Sequence, residues 1–146
     1  MAASEQAREK WTAPEELISA ARAVAGRSYA PYSHFRVGAA LLLTNGETVT
    51  GANVENVSYG LTICAERSAL VGAVARFGPG IRIAAIAVAN LNEAPSPPCG
   101  ACRQVLAEFV EAGATISFPA HAKDGVETAT VPFAELLPYG FDLQLK

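Results

Sequence analysis

Every cysteine of the chain falls in two short segments, Cys64-Ala65-Glu66-Arg67 and Pro98-Cys99-Gly100-Ala101-Cys102. A single thiol brought to a pair spaced two residues apart is a donor set that suits zinc. Three thiolates at ~2.3 Å leave the fourth tetrahedral position open, which is the layout of a catalytic rather than a closed structural site. Glu66 stands two positions from the first sulfur. It is too close in sequence to Cys64 to share the metal comfortably, yet it can reach a water there. A carboxylate so placed can take a proton from that water and deliver it to a substrate nitrogen. A glutamate on a plain helix surface would do neither, and beside three candidate ligands the catalytic reading carries more weight.

Three thiolates and one Zn²⁺ leave an excess negative charge that would blunt the acidification of a water. Arg67 follows Glu66 and Arg103 follows Cys102, and a guanidinium donating to a thiolate withdraws some of that charge. Arg67 is the first choice for this role. A Cys-x-x-Cys pair is also a redox motif, but such pairs belong to a thioredoxin-like context without a third thiol. A structural zinc would need a fourth ligand at short spacing. The two histidines, His34 and His121, lie in or after loops without ligand spacing and read as ordinary loop residues.

The elements that must position these groups follow from pattern. Each cysteine segment sits where a helix begins, and the N–H groups and positive dipole end there favour thiolate. One helix is expected from about Cys64 to Gly78-Pro79-Gly80, the other from about Cys99 to Gly113. Cys99 and Cys102, three apart, share a helix face. Earlier in the chain, Thr12 can cap a helix with Pro14 in its first turn and Glu15 completing a capping box, and Gly26 ends it. The spacing predicts strands over 35–43 and 48–54, joined at Asn45-Gly46 by a type I′ turn with positive φ at both positions. Residues 39–43 are apolar without alternation, as in a central strand covered on both faces. Further strands are expected over 81–89, 115–118 and 127–131, and Pro132 opens a short final helix through Leu136-Leu137. Strands alternating with helices argue an α/β fold: a three-layer α/β/α sandwich on a mixed sheet of about five strands, with the hairpin at one edge. Residues 1–11 read as a flexible tail and 12–146 as a single domain. Asn53-Val54-Glu55-Asn56 comes where the second strand gives out; it reads either as a holder of ligand hydroxyls or as a polar loop satisfying its own backbone.

Composition narrows the function. The chain has 146 residues, half of them hydrophobic, and a net charge of -3 from 11 basic and 14 acidic residues. That balance argues against a nucleic-acid polymer, whose binders carry basic stripes, but not against a nucleoside. No stretch approaches the ~20 apolar residues of a membrane span, and residues 1–10 lack the apolar core of a secretory signal. Three cysteines cannot all pair within one chain. The expectation is a cytoplasmic protein with reduced thiols, for which the sequon Asn56-Val57-Ser58 is a chance match.

Together, Cys64-Ala65-Glu66 and Pro98-Cys99-Gly100-Ala101-Cys102-Arg103-Gln104 resemble the signature of zinc-dependent nucleoside and nucleobase deaminases. The chain resembles in particular the small homotetrameric cytidine deaminases. Pro31-Tyr32-Ser33, Phe35, Val37-Gly38-Ala39-Ala40, Asn53-Val54-Glu55-Asn56 and Glu135-Leu136-Leu137-Pro138 extend the likeness from Tyr29 to Phe141. The resemblance implies one zinc per subunit on Cys64, Cys99 and Cys102, with Glu66 as proton shuttle in hydrolysis of cytidine to uridine and ammonia. It implies that Asn53 and Glu55 hold the ribose hydroxyls, that Phe35 packs against the pyrimidine and that the Ala65 N–H helps fix the base. Arg67 and Arg103 match positions that quiet thiolate charge. Tyr59 and Phe141, or Tyr139 in place of Phe141, would reach a neighbouring subunit's site. Two rivals remain open: a deaminase of another aminopyrimidine nucleoside, such as a blasticidin-type antibiotic, and a non-catalytic zinc-stabilised binding module, which would have no use for Glu66.

Overall fold

A computed structural model describes residues 14–143; the tail expected over 1–11 and the cap expected at Thr12 lie outside the described residues. Five strands, β1 (Val37–Leu43), β2 (Thr48–Ala52), β3 (Ile83–Asn90), β4 (Val110–Ala122) and β5 (Gly125–Pro132), form one sheet in the order β2-β1-β3-β4-β5. The β3–β4 pair is parallel and the rest are antiparallel. The helices are α1 (Pro14–Ala25), α2 (Ala65–Phe77) and α3 (Gly100–Ala107). The sheet is mixed and five-stranded, as the sequence pattern predicts, and each helix covers a face that the strands prepare for it.

Alternation along the strands sorts side chains by size. On β1 and β3, Leu41, Leu43, Ile86 and Val88 join Ala65, Ala69 and Leu70 of α2 and Leu106 of α3 in the larger core. The opposite face presents Ala40, Leu42, Ala85, Ala87 and Ala89 to Leu17 and Ala21 of α1. The alanines let α1 approach closely. A Cβ on Gly38 would stand 1.9 Å from the Ala21 carbonyl oxygen, and one on Gly51 would stand 2.3 Å from the Ala69 nitrogen. Glycine at 38 therefore seats α1, and glycine at 51 seats the first half of α2, the half that begins with the first cysteine. Burying a leucine or isoleucine of this core stabilises the fold by about 1.5–3 kcal/mol.

Two elements differ from the pattern-based expectation. At the β1–β2 turn only Gly46 has positive φ, at 89°, and Asn45 does not. The Gly46 N–H donates to Leu43 O at 2.9 Å, Leu43 N donates to Glu47 O at 2.9 Å, and Asn45 Oδ1 accepts the Glu47 N–H. The loop is one residue longer than a type I′ turn, with the glycine taking the left-handed position. The helix expected to run from 99 to 113 ends at Ala107. Arg82 captures the carbonyls of Glu108 (3.0 Å) and Val110 (2.6 Å) and pairs with Glu111 at 3.0 Å. Ile83 N–H takes the Phe109 carbonyl. The chain is thus drawn into β4, of which the expected strand 115–118 is only the middle.

The C-terminal ends of β2 and β3 and the start of β1 lie at one end of the sheet, as their antiparallel registers require. Both α2 and α3 begin after strands that finish there. In open α/β sheets that end is where ligands bind.

Candidate active site

Cys64 is the N-cap of α2 and Cys99 the N-cap of α3, both with extended backbone. Cys99 Sγ accepts the Cys102 N–H at 3.4 Å, so the sulfur takes the place of a capping oxygen. The three sulfurs lie within 4.8 Å of one another. Thiolates bound to one zinc at ~2.3 Å in a tetrahedral array stand ~3.8 Å apart, and the sulfurs of Cys64 and Cys99 are 3.8 Å apart. Donor type, number and spacing all fit zinc. They leave one face of the cluster without a fourth ligand, since these three are the only such group among the described residues.

The charges around the cluster are arranged for a thiolate. Arg67 Nη2 donates to Cys64 Sγ at 3.3 Å. The Cys64 thiol is held down to about 5, by its hydrogen bond with Cys102 first and then by those with Arg67 and Cys99, against the opposing effect of burial. Cys102 is fully buried, and its thiol is pushed up by the bond to Cys64 first, then by burial and by the neighbouring Glu66. Arg67 is pushed up by the two thiols. Its Nε is the buried side-chain donor without a partner among the described residues.

Glu66 is 4% exposed. Burial pushes its carboxyl above the ordinary range, while a hydrogen bond with Cys102 pulls it back in part. A buried carboxyl with a raised pKa, packed beside the cysteine cluster, has the environment of a proton carrier.

Arg103, also expected at a thiolate, is turned elsewhere. Its guanidinium donates to Pro98 O at 2.8 Å and to Leu136 O at 3.1 Å. It steadies the approach to Cys99 through backbone carbonyls, because its position on α3 faces the chain segments on either side of the helix and not the sulfurs.

The polar residues after β2 are drawn to the same corner. Val54 exchanges both backbone hydrogen bonds with Ile63, the residue before Cys64. Asn53 is buried; its Oδ1 accepts Val37 N–H at 2.9 Å and its Nδ2 donates to Phe35 O at 2.8 Å. Glu55 Oε1 accepts the N–H groups of Tyr32 (3.0 Å) and Ser33 (3.2 Å), and its Oε2 accepts the Ser33 hydroxyl. Phe35 is half-buried between these contacts. These side chains satisfy backbone on either side of Phe35: Asn53 bonds Phe35 O and Val37 N–H, and Glu55 bonds the N–H groups of Tyr32 and Ser33. Tyr59 and Phe141 are exposed in the single chain; Tyr59 makes an edge-on contact with Tyr32, with ring centroids 6.0 Å apart. Tyr139 is fully exposed. Ser33, Asn90 and Asn92 were not singled out from the sequence, although polar residues at the end of an apolar strand are the signal that drew attention to 53–56.

The model of the cytidine and deoxycytidylate deaminase zinc-binding region matches residues 12–116. The chain belongs to this family. Among curated relatives it is 48% identical to the cytidine deaminase of Halalkalibacterium halodurans over 78% of this chain and 83% of that one. It is 44% identical to the cytidine deaminase of Mycobacterium tuberculosis over 86% of each. Among solved structures, the cytidine deaminase of Burkholderia pseudomallei superposes with a TM-score of 0.73 at 43% identity, covering 87% of this chain and 98% of that one. The Mycobacterium tuberculosis crystal structure gives 0.74 at 37% identity, covering 90% and 99%. Family membership thus agrees with the donor set, which on its own chemistry is a zinc site.

Proposed function

We propose that this protein hydrolyses cytidine and 2′-deoxycytidine to uridine and 2′-deoxyuridine with release of ammonia, serving pyrimidine salvage in the cytoplasm. The observation that carries the reading is the buried Glu66 carboxyl beside three sulfurs spaced for one zinc. Cys64, Cys99 and Cys102 hold the ion, which when bound supplies Lewis acidity and brings the pKa of a water toward ~7.

The remaining chemistry belongs to side chains. Glu66 takes the proton of the attacking water and places it on N3 of the pyrimidine, where addition at C4 concentrates negative charge. It then takes the second proton, from the hydroxyl now on C4, and passes it to the amine, which leaves as ammonia while C4 becomes a carbonyl. Arg67 offsets the surplus thiolate charge, and Arg103 holds the backbone of Pro98 ahead of Cys99. Phe35 packs on the base and the Ala65 N–H fixes its orientation. Asn53 and Glu55 receive the ribose. Each is partly engaged with backbone, yet an amide offers two donors and two acceptor sites and a carboxylate about four acceptor sites. Asn53 therefore keeps one donor and one acceptor, and Glu55 one acceptor, for hydroxyls.

Residues 12–146 act as one catalytic domain, and four copies assemble so that Tyr59 and Phe141 complete neighbouring sites. The exposure of both rings, and of Val54, Val57, Leu61 and Val71, supports an apolar surface covered by further copies. The test is the fall in cytidine absorbance on mixing with the zinc-loaded protein, which a chelator should abolish. A zinc-loaded protein that leaves cytidine and deoxycytidine untouched would overturn the reading.

A further inference from the structure

We infer that Asn90 and Asn92 are positioning residues that lock the loop delivering Cys99 to the segment carrying Phe35, and so set how tightly the base is bound without touching it. The inference rests on the reading of Phe35 as the wall against the pyrimidine.

The asparagines sit where β3 ends. Asn90 is buried, and a buried amide left unpaired costs about 1–3 kcal/mol, so its partners matter. Its Nδ2 donates to Ala94 O at 2.7 Å and to Ser96 Oγ at 2.9 Å; its Oδ1 accepts Asn92 N–H at 2.9 Å and Ala94 N–H at 3.4 Å. Both donors and both acceptor sites are used, all on the loop that leads into Pro97-Pro98-Cys99. Within that loop Glu93 takes a positive φ of 52°, a conformation a glutamate adopts only when its surroundings dictate it. Ser96 N–H ties the far side of the loop to Pro119 O of β4 at 2.9 Å.

The loop so folded points Asn92 across to the other chain segment. Asn92 Oδ1 accepts Arg36 N–H at 2.9 Å, and its Nδ2 donates to His34 O at 2.9 Å. Leu91 N–H adds a bond to Arg36 O at 3.0 Å. His34 is itself held at a φ of 59°. Asn53 grips Phe35 O and Val37 N–H, the alternate groups of the same backbone. Phe35 is therefore clamped between an asparagine from the β2 end and one from the β3 end. The β3-end asparagine belongs to the loop that presents a zinc ligand. Position of the metal and position of the ring become one quantity.

The test is steady-state kinetics on the zinc-loaded full-length protein, with uridine inhibition as a measure of binding free of turnover. Asn92→Ala removes two hydrogen bonds at an exposed position. It should raise KM for cytidine and KI for uridine together by about tenfold, with kcat within about twofold and zinc content unchanged. Asn92→Asp keeps the acceptor for Arg36 N–H but sets a carboxylate oxygen against His34 O, and should do the same or worse. Glu111→Ala, which breaks the surface pair with Arg82, controls for simple loss of stability and should leave KM unmoved. If the wild type turns over cytidine but Asn92→Ala or Asn92→Asp keeps KM and KI within twofold, or loses kcat with KM intact, the positioning role is overturned while the function stands. A wild type inactive on cytidine would overturn the function itself.

Discussion

The zinc corner and the proposed nucleoside corner share one end of the sheet and are built on different principles. In the zinc corner each ligand is placed by local structure: two cysteines are helix N-caps, and the third lies one turn into α3. The nucleoside corner is placed by side chains reaching across the chain. Phe35 is held by Asn53 at its own carbonyl and by Asn92 at the carbonyl of His34, both from segments distant in sequence. One corner depends on where helices start. The other depends on long-range hydrogen bonds, each worth about 0.5–1.5 kcal/mol net. Substitutions in the first should act on chemistry or metal, and in the second on affinity.

The largest separation is expected at Glu66. Glu66→Gln keeps the size and burial of the side chain but cannot carry the proton, so kcat should fall about a thousandfold or more. Zinc content, read by atomic absorption, should stay at one per chain. A Gln variant with near wild-type turnover would break the division, because the zinc corner would then be doing its chemistry without its acid–base group.

Next in size is Gly51→Ala, which tests whether the zinc corner rests on α2 packing. The added Cβ meets Ala69 Cα at 2.8 Å and Ala65 O at 2.9 Å, all backbone that cannot step aside. A loss of about 2–3 kcal/mol of stability is expected, read as a lowered denaturant midpoint, together with weaker zinc retention. Arg67→Ala should follow with a fall in zinc affinity of about 10- to 100-fold, measured by competition with a chelator. If affinity and kcat both held, charge relief at Cys64 would have to come from elsewhere.

The same division explains what the sequence made legible. Cysteine spacing and the helix starts are local, so the cysteine cluster could be read from the sequence, as could the presence of five strands. The misreading at Asn45-Gly46 was local, one residue in a turn; the others were tertiary. Nothing near Glu108 signals the end of α3, because Arg82, more than twenty residues earlier, takes the carbonyls that end it. The arginine following Cys102 looked like a thiolate partner until α3's orientation turned it to Pro98 and Leu136. Asn92 drew no notice because its partners, His34 and Arg36, lie far earlier in the chain, just before β1. The single chain also leaves Tyr59 and Phe141 exposed, and no pattern within one chain can place a residue against another copy.

The smallest expected effect lies wholly in the nucleoside corner. Glu55 is held below the ordinary carboxylate range, chiefly by the Ser33 hydroxyl, with the Ser33 and Tyr32 N–H groups adding to it. A carboxyl whose pKa is depressed on folding stabilises the fold above its unfolded value, about 4.5, and loses that contribution as pH falls through the folded value. Ser33→Ala removes the main cause. The gap in melting temperature between wild type and Ser33→Ala should therefore be widest near neutral pH and should narrow as pH falls from 4.5 through the depressed folded value, below which both proteins carry a neutral Glu55. The carboxylate is open to solvent, so the gap is small and salt-sensitive. Apoprotein, prepared with chelator, keeps acid release of zinc out of the comparison. A gap that stayed constant or widened toward acid would mean that Ser33 acts through its bond to the Phe35 N–H and not through Glu55. That corner would then be held by neutral side chains bonded to backbone, with no contribution from the Glu55 charge.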